Sequence, residues 1–247
     1  MFYAGDVSRG HARVEGETAQ HLRRVLRAEP GQRYELSDGR RLYLGEVTGF
    51  ARDAVEFKIV EELPARRGGA RVVLYAALLK FDRFEWLIEK ATELGTPRLV
   101  PVVAARSDTG LEKAAVSRLA RWRRIAMESG QQCRRVSPME IDAPRALGTV
   151  LASSHPVRLF LDEDGGAPLL ARLSLAAASA PEETEIALLA GPEGGWAPSE
   201  RSTTVDAGWT SIFLGDQVLR AETAALAALS IVQAWWWGRQ DLNPRQT

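Results

Sequence analysis

The spacing of apolar residues changes character near residue 70. Before it, Arg33–Ser37 and residues 41–47 read as strands joined by the hairpin signal Asp38-Gly39, and residues 54–60 complete a meander. Residues 21–27 predict one short helix, ended by Pro30-Gly31. Beyond residue 70, strands alternate with helices. Residues 72–78 are continuously apolar, as in a strand buried on both faces. Residues 82–94 predict a helix with Asp82 as cap, Glu85 three residues on, Phe84, Leu87, Ile88, Ala91 and Leu94 on one face, and Gly95 as stop. A strand at 99–103 follows, then a helix at 114–128 with Ala115, Leu119, Trp122 and Ala126 inward and Arg118, Arg121 and Arg124 outward. Further strands fall at Val157–Leu161, 185–190 and 211–214, and a closing helix at 221–237. Residues 169–183, rich in Ala and Ser, give only helix plus loop. The expectation is a small β domain over residues 1–66, a linker at 64–69, and an α/β domain over residues 70–240.

A chain of 247 residues has room for both domains. Lys plus Arg and Asp plus Glu each total 32, so net charge does not by itself announce a nucleic-acid partner. Distribution says more: Lys113, Arg118, Arg121, Arg123, Arg124, Arg134 and Arg135 face a lone acid, Glu128, within one stretch. Such a strip is either a solvated helix face or a phosphate-binding surface. Cys133 is the only cysteine, which excludes an intrachain disulfide and fits a reducing compartment. Asp6 and Arg9 leave no apolar core for a signal peptide, and the longest apolar run, 224–229, is far short of a membrane span. A cytoplasmic location is expected.

The most informative chemistry lies in two loops that each leave a strand and enter a helix. One is Ala190-Gly191-Pro192-Glu193-Gly194-Gly195-Trp196; the other runs from Leu214-Gly215 through Val218-Leu219-Arg220 to Glu222-Thr223-Ala224. Glycine lacks the side chain that would keep a ligand off the backbone. Two such turns near each other in sequence can share one pocket at the carboxyl ends of neighbouring strands. Neither is a dinucleotide fingerprint or a phosphate loop. Arg220 holds its charge at any working pH, which suits stabilising negative charge better than abstracting a proton. As a surface ion pair, Arg220 and Glu222 would contribute under about 1 kcal/mol.

Other features carry less. Ala224, Ala225, Ala227 and Ala228 suit a buried helix or a dimer face, and Trp235, Trp236 and Trp237 suit core or subunit contacts better than base stacking. Cys133 reads as structural. His11, His21 and His155 are scattered, so no metal site is expected from them; Asp162-Glu163-Asp164 after a strand could cluster around a metal, but Gly165-Gly166 makes a solvated turn the default. A non-catalytic RNA-binding protein would keep the basic strip and the β unit without needing both glycine turns. A nucleotide-hydrolysing enzyme would want a phosphate-loop lysine that is missing here.

These segments resemble the bacterial 16S ribosomal RNA (uracil-N3)-methyltransferases of the knotted SPOUT superfamily over nearly the whole chain. Residues 21–27 with Pro30-Gly31 are similar to the start of that family's PUA-like domain. Glu89-Lys90-Ala91-Thr92-Glu93-Leu94-Gly95 is similar to its first catalytic-domain helix, Gln132 and Arg135 to its Glu-Gln-x-x-Arg element, and the two glycine-rich segments to its cofactor motifs. Departures are Ala197 where the family has a capping Ser, Gln217 where it has a basic residue, and Met1-Phe2-Tyr3 without the arginine before Phe.

The resemblance implies a PUA-like β-barrel followed by a SPOUT-type α/β domain with a deep trefoil knot. It also implies S-adenosylmethionine as cofactor, held bent, a homodimer with a shared active site, and 16S rRNA or the small ribosomal subunit as partner. On that similarity Leu161, Glu163, Ala190, Gly191, Pro192, Glu193, Gly194, Gly195, Leu214, Gly215, Val218, Leu219, Arg220, Thr223 and Ala224 line the cofactor site. Arg220 would stabilise charge and Glu222 would be the candidate proton acceptor. Arg23, Arg24, Arg27, Arg121, Arg124, Arg134 and Arg135 would meet RNA. The polar tail 239–247 is expected to be disordered.

Overall fold

The computed structural model describes residues 1–64, 68–108, 110–179 and 184–241. Two compact units emerge, Met1–Arg67 with Gly130–Pro138, and Gly68–Ser129 with Met139–Thr247. The core of the expected linker, 65–67, and residues 242–247 of the expected tail lie outside the described residues.

In the first unit, strands β1 (Phe2–Tyr3), β2 (Asp6–Ser8), β3 (His11–Glu15), β4 (Arg33–Ser37), β5 (Leu42–Ala51) and β6 (Ala54–Leu63) make one sheet in the order β1-β4-β5-β6-β3-β2. Helix α1 (Gly16–Arg24) closes over it, burying Leu22 with Val14, Leu36, Val55 and Phe57. The helix begins and ends earlier than residues 21–27 because Gly16, at φ +65, turns β3 directly into it. Arg27, at φ +50, has left the helix before Pro30 is reached. Residues 130–138, distant in sequence, complete this unit: Tyr3 Oη donates to Arg135 O at 3.0 Å and Ser37 Oγ to Val136 O at 2.5 Å. Burial pushes the Tyr3 hydroxyl up to about 12.

The second unit is a sheet flanked by helices. Its elements are β7 (Val72–Ala77), α2 (Phe81–Glu93), β8 (Arg98–Val103), α3 (Leu111–Gln132), β9 (Glu140–Ile141), β10 (Arg145–Ala146), α4 (Leu147–Leu151), β11 (Val157–Leu161), β12 (Ala167–Pro168), α5 (Leu169–Ser179), β13 (Ile186–Ala190), α6 (Pro198–Asp206), β14 (Thr210–Phe213) and α7 (Ala221–Asp241). The strand order is β10-β8-β7-β13-β11-β14-β12, with parallel pairing throughout. Central strands β7 and β13 are buried at every position, which is why both read as unbroken apolar runs. Phe84, Trp122 and Leu229 pack on one face, and Leu147, Trp196 and Trp209 on the other.

Two local expectations change. Asp82 does not cap α2; Lys80 occupies that position without a side-chain cap, and Glu85 spends its carboxylate on Arg118 and Arg121 instead of on the helix start. Residues 239–241 are helical rather than tail, and Arg239 stacks 4.9 Å above the Trp235 ring.

Strands β11 and β12 are consecutive in the chain, yet β14 lies between them, pairing Leu161 with Ile212 on one side and Pro168 with Phe213 on the other. Residues 162–166 therefore bridge over β14. A Cβ on Gly166 would fall 2.6 Å from the Ser211 carbonyl carbon, so only glycine lets the bridge lie this close.

Candidate active site

The carboxyl ends of β11, β13 and β14 open into one cavity of about 220 Å³. Its wall is formed by Leu161 to Glu163, by Ala190 to Glu193 with Gly195 and Trp196, by Ile212 to Ala221 with Ala224, and by Arg83 of α2. Most of the residues expected to hold a cofactor meet there: Leu161, Glu163, Ala190, Gly191, Pro192, Glu193, Gly195, Leu214, Gly215, Val218, Leu219, Arg220 and Ala224. Gly194 and Thr223 lie in the same segments but off the wall. Gly194 faces the other way, where its carbonyl accepts from Arg106 Nη1 at 3.0 Å and a Cβ would meet Arg106 Cβ at 3.2 Å.

Local geometry explains the glycines. Residues 192–195 close a turn in which Gly195 N donates to Pro192 O at 3.0 Å, with Gly195 at φ +67. The ring of Trp196 tucks beneath, its Nε1 donating to Leu161 O at 2.8 Å and its indole 3.0 Å from where a Cβ on Gly191 would stand. The turn and the end of β11 are thereby locked together. Helix α6 then starts without a capping side chain at Ala197, as that residue dictates. Glu200 compensates from within the helix, accepting from Ala197 N at 3.1 Å and from Ala105 N at 2.7 Å.

Asp162 corrects the expectation of a solvated acidic turn. It is buried and takes Arg201 Nε at 2.9 Å, Asp164 N at 3.2 Å and Ser211 Oγ at 3.3 Å, so it anchors the bridge over β14. Among the described residues no group of three or more His, Cys, Asp or Glu could hold a metal.

Arg220 is exposed on the cavity wall and makes no side-chain hydrogen bond or ion pair among the described residues. Glu222 is buried and does not line the cavity. Its Oε1 lies 3.9 Å from Arg83 Nε, and its Oε2 has no hydrogen-bond partner among the described residues. Arg83 was missed in the sequence, although it lines the cavity and pairs with Glu193. Its position in the first turn of α2, far from either glycine-rich segment, gave no signal.

The arginines expected to meet RNA divide. Arg24 and Arg27 are exposed at the end of α1, beside exposed Val25 and Leu26. Arg23 instead donates to Ala51 O and Arg52 O at 3.0 and 3.1 Å and lies over Phe50. Arg121 is held by both oxygens of Glu85 at 2.8 Å, Arg124 lies 3.8 Å from Glu128, and Arg134 lies 3.8 Å from Glu35. Arg135 donates to Ser137 O at 3.1 Å, and burial lowers its pKa from the usual range. Arg118, Arg121 and Arg134 of the apparent basic strip thus lie beside carboxylates, Glu85 and Glu35, that sequence spacing did not bring near it, while Arg124 lies beside the strip's own Glu128.

An α/β unit with a cavity of glycine-rich turns at its strand ends is the architecture of a ligand-binding α/β enzyme, and the chain belongs to the RNA methyltransferase family, whose RNA methyltransferase domain matches residues 67–233. Its relatives there are the ribosomal RNA small subunit methyltransferase E proteins. That of Aquifex aeolicus is 29% identical over 237 residues, covering 94% of this chain and 98% of the relative. That of Mycobacterium tuberculosis is 31% identical over 227 residues, covering 89% and 84%. Among solved structures, the Neisseria gonorrhoeae methyltransferase E bound to S-adenosyl methionine matches with a TM-score of 0.83 at 24% identity, covering 95% of this chain and 97% of that one. A Legionella pneumophila protein in complex with the same cofactor matches with a TM-score of 0.82 at 26% identity, covering 94% and 96%. No helix among the described residues is long and apolar enough to cross a membrane.

Proposed function

We propose that this chain methylates N3 of a uridine in the 16S rRNA of the small ribosomal subunit, using S-adenosylmethionine, in the cytoplasm. The observation that carries the reading is the convergence of residues 161–163, 190–196 and 212–224 on one cavity in a chain of the RNA methyltransferase family. The residues fit the cofactor: Gly191, Gly195 and Gly215 bring backbone to the cavity wall, and Glu163 and Asp216 suit its positive charge, Glu193 being paired with Arg83. When bound, it supplies a methyl group on a positively charged sulfur.

The protein's own share is electrostatic. Loss of the N3 proton to solvent water spreads negative charge onto the flanking uracil oxygens, and Arg220, exposed on the wall, is the fixed cation for them. Glu222 sits behind Arg83 rather than on the wall, so we assign it to holding Arg83 and not to taking the proton, which needs approach to about 3 Å. N3 lies on the pairing edge, so the uridine must be unpaired or flipped out. Arg24 and Arg27, with the exposed apolar pair between them, are the best-placed of the expected RNA contacts in the PUA-like unit, because Arg23 is held by backbone carbonyls and Arg134 lies beside Glu35.

The placement of β14 under residues 162–166 supports the deep trefoil knot of the SPOUT fold. Val218 and Leu219, 79% and 39% exposed on the cavity wall, support a homodimer in which a second copy covers them. Titration calorimetry with S-adenosylmethionine tests the cofactor, and no heat at high concentration would favour a purely RNA-binding protein. Mass spectrometry of ribosomal RNA from a deletion strain, with and without the protein restored, tests the substrate.

A further inference from the structure

The 191–195 turn offers few side chains of its own, although Arg106 donates to Gly194 O and Trp196 fastens its end to β11. Glycines occupy most of it, and Glu193 is its only charged side chain. That side chain pairs with Arg83 of α2. The same guanidinium approaches Glu222, in the first turn of α7, to 3.9 Å. One arginine on a third element thus stands between the cofactor turn and the helix that begins at Ala221.

Helix energetics do not explain an arginine there. A cation in the first turn of α2 faces the positive end of the helix dipole, which disfavours it. The two carboxylates offset that cost, and the cluster is partly shielded: the Arg83, Glu193 and Glu222 side chains are 33%, 25% and 8% exposed. The second Glu222 oxygen is buried without a hydrogen-bond partner among the described residues, so Arg83 is the charge beside this carboxylate. The link therefore works in both directions, fixing Glu193 from one side and Glu222 from the other.

We propose that Arg83 is a positioning residue that ties the 191–195 turn to the start of α7 and so sets the width of the cofactor cavity between them. This rests on the reading of that cavity as the S-adenosylmethionine site. The protein's backbone turns would then need no rearrangement to meet their ligand, and affinity would gain from the ordering already made.

The test is calorimetric titration of the full chain with S-adenosylmethionine, alongside turnover on ribosomal RNA at saturating cofactor and melting temperature without it. Wild type, R83K, E193Q and the double variant are compared; R83K keeps a charge beside Glu222 so that the fold survives. Each single change should raise the cofactor Kd roughly tenfold, a larger factor than any fall in kcat at saturating cofactor. The double variant should be no worse than the weaker single, because both break one link. Unchanged Kd values, multiplying effects, or a loss confined to kcat or to melting temperature would overturn the role of Arg83. Absence of binding by wild type itself would overturn the cofactor reading beneath it.

Discussion

The Glu163 carboxylate occupies the space that a side chain at Gly195 would need: a Cβ there would overlap Glu163 Oε1. Gly195 also sits at φ +67, where alanine is strained by about 1 kcal/mol relative to glycine. G195A should therefore lower stability by about 1–2 kcal/mol and weaken S-adenosylmethionine binding, read by thermal unfolding and calorimetry. If the overlap is the cause, adding E163A recovers part of the stability lost. No recovery would assign the whole effect to the backbone.

Arg220 should behave as a charge at the reacting base. Removing one such donor typically lowers turnover about 10²–10³-fold. R220A is expected to show that loss with near-normal cofactor affinity, because its side chain has no structural partner among the described residues. Near-normal turnover in single-turnover methylation would refute the assignment.

Asp162 holds the bridge over β14, and its removal leaves Ser211 Oγ with Gly165 O alone and Arg201 with only Asp164. Breaking a buried pair by deleting one partner costs about 3–5 kcal/mol. D162A should lose stability in that range in urea unfolding. D162N, which keeps the shape, should lose less.

Glu85 makes stability depend on acid. Hydrogen bonds from Arg121, then Arg118, outweigh partial burial and hold its carboxyl below the usual value of 4.5. The folded state thus favours the ionised form. The contribution is complete above that unfolded-chain value and is lost as pH falls through the lower folded one. Urea unfolding between pH 7 and 3 should show a decline below about pH 4.5 that E85Q flattens. Because Arg121 is 54% exposed, 1 M salt should shrink the difference between the two proteins. An identical pH profile for E85Q and wild type would rule this out.

What could be read in the residues was what local chemistry enforces. The apolar runs of β7 and β13, the alternation of strand and helix, and the glycine-rich turns after residues 190 and 214 follow from burial and from backbone freedom. Family likeness extended this to the cofactor segments. Even here details moved: Glu85 left the α2 cap for its tertiary partners Arg118 and Arg121, and the positive-φ backbone of Gly16 opened α1 early.

Only the tertiary structure decided which charges remain free and which strands become neighbours. Residue spacing along a helix cannot reveal that Glu85 on α2 compensates α3, that Asp162 is buried by Arg201 and Ser211, or that Arg83 reaches Glu193 across 110 positions. Nor can it place β14 between β11 and β12. The reason is physical: turns and periodic faces are set by interactions over a few residues, whereas pairing of charges and threading of strands depend on contacts that exist only once distant segments have packed.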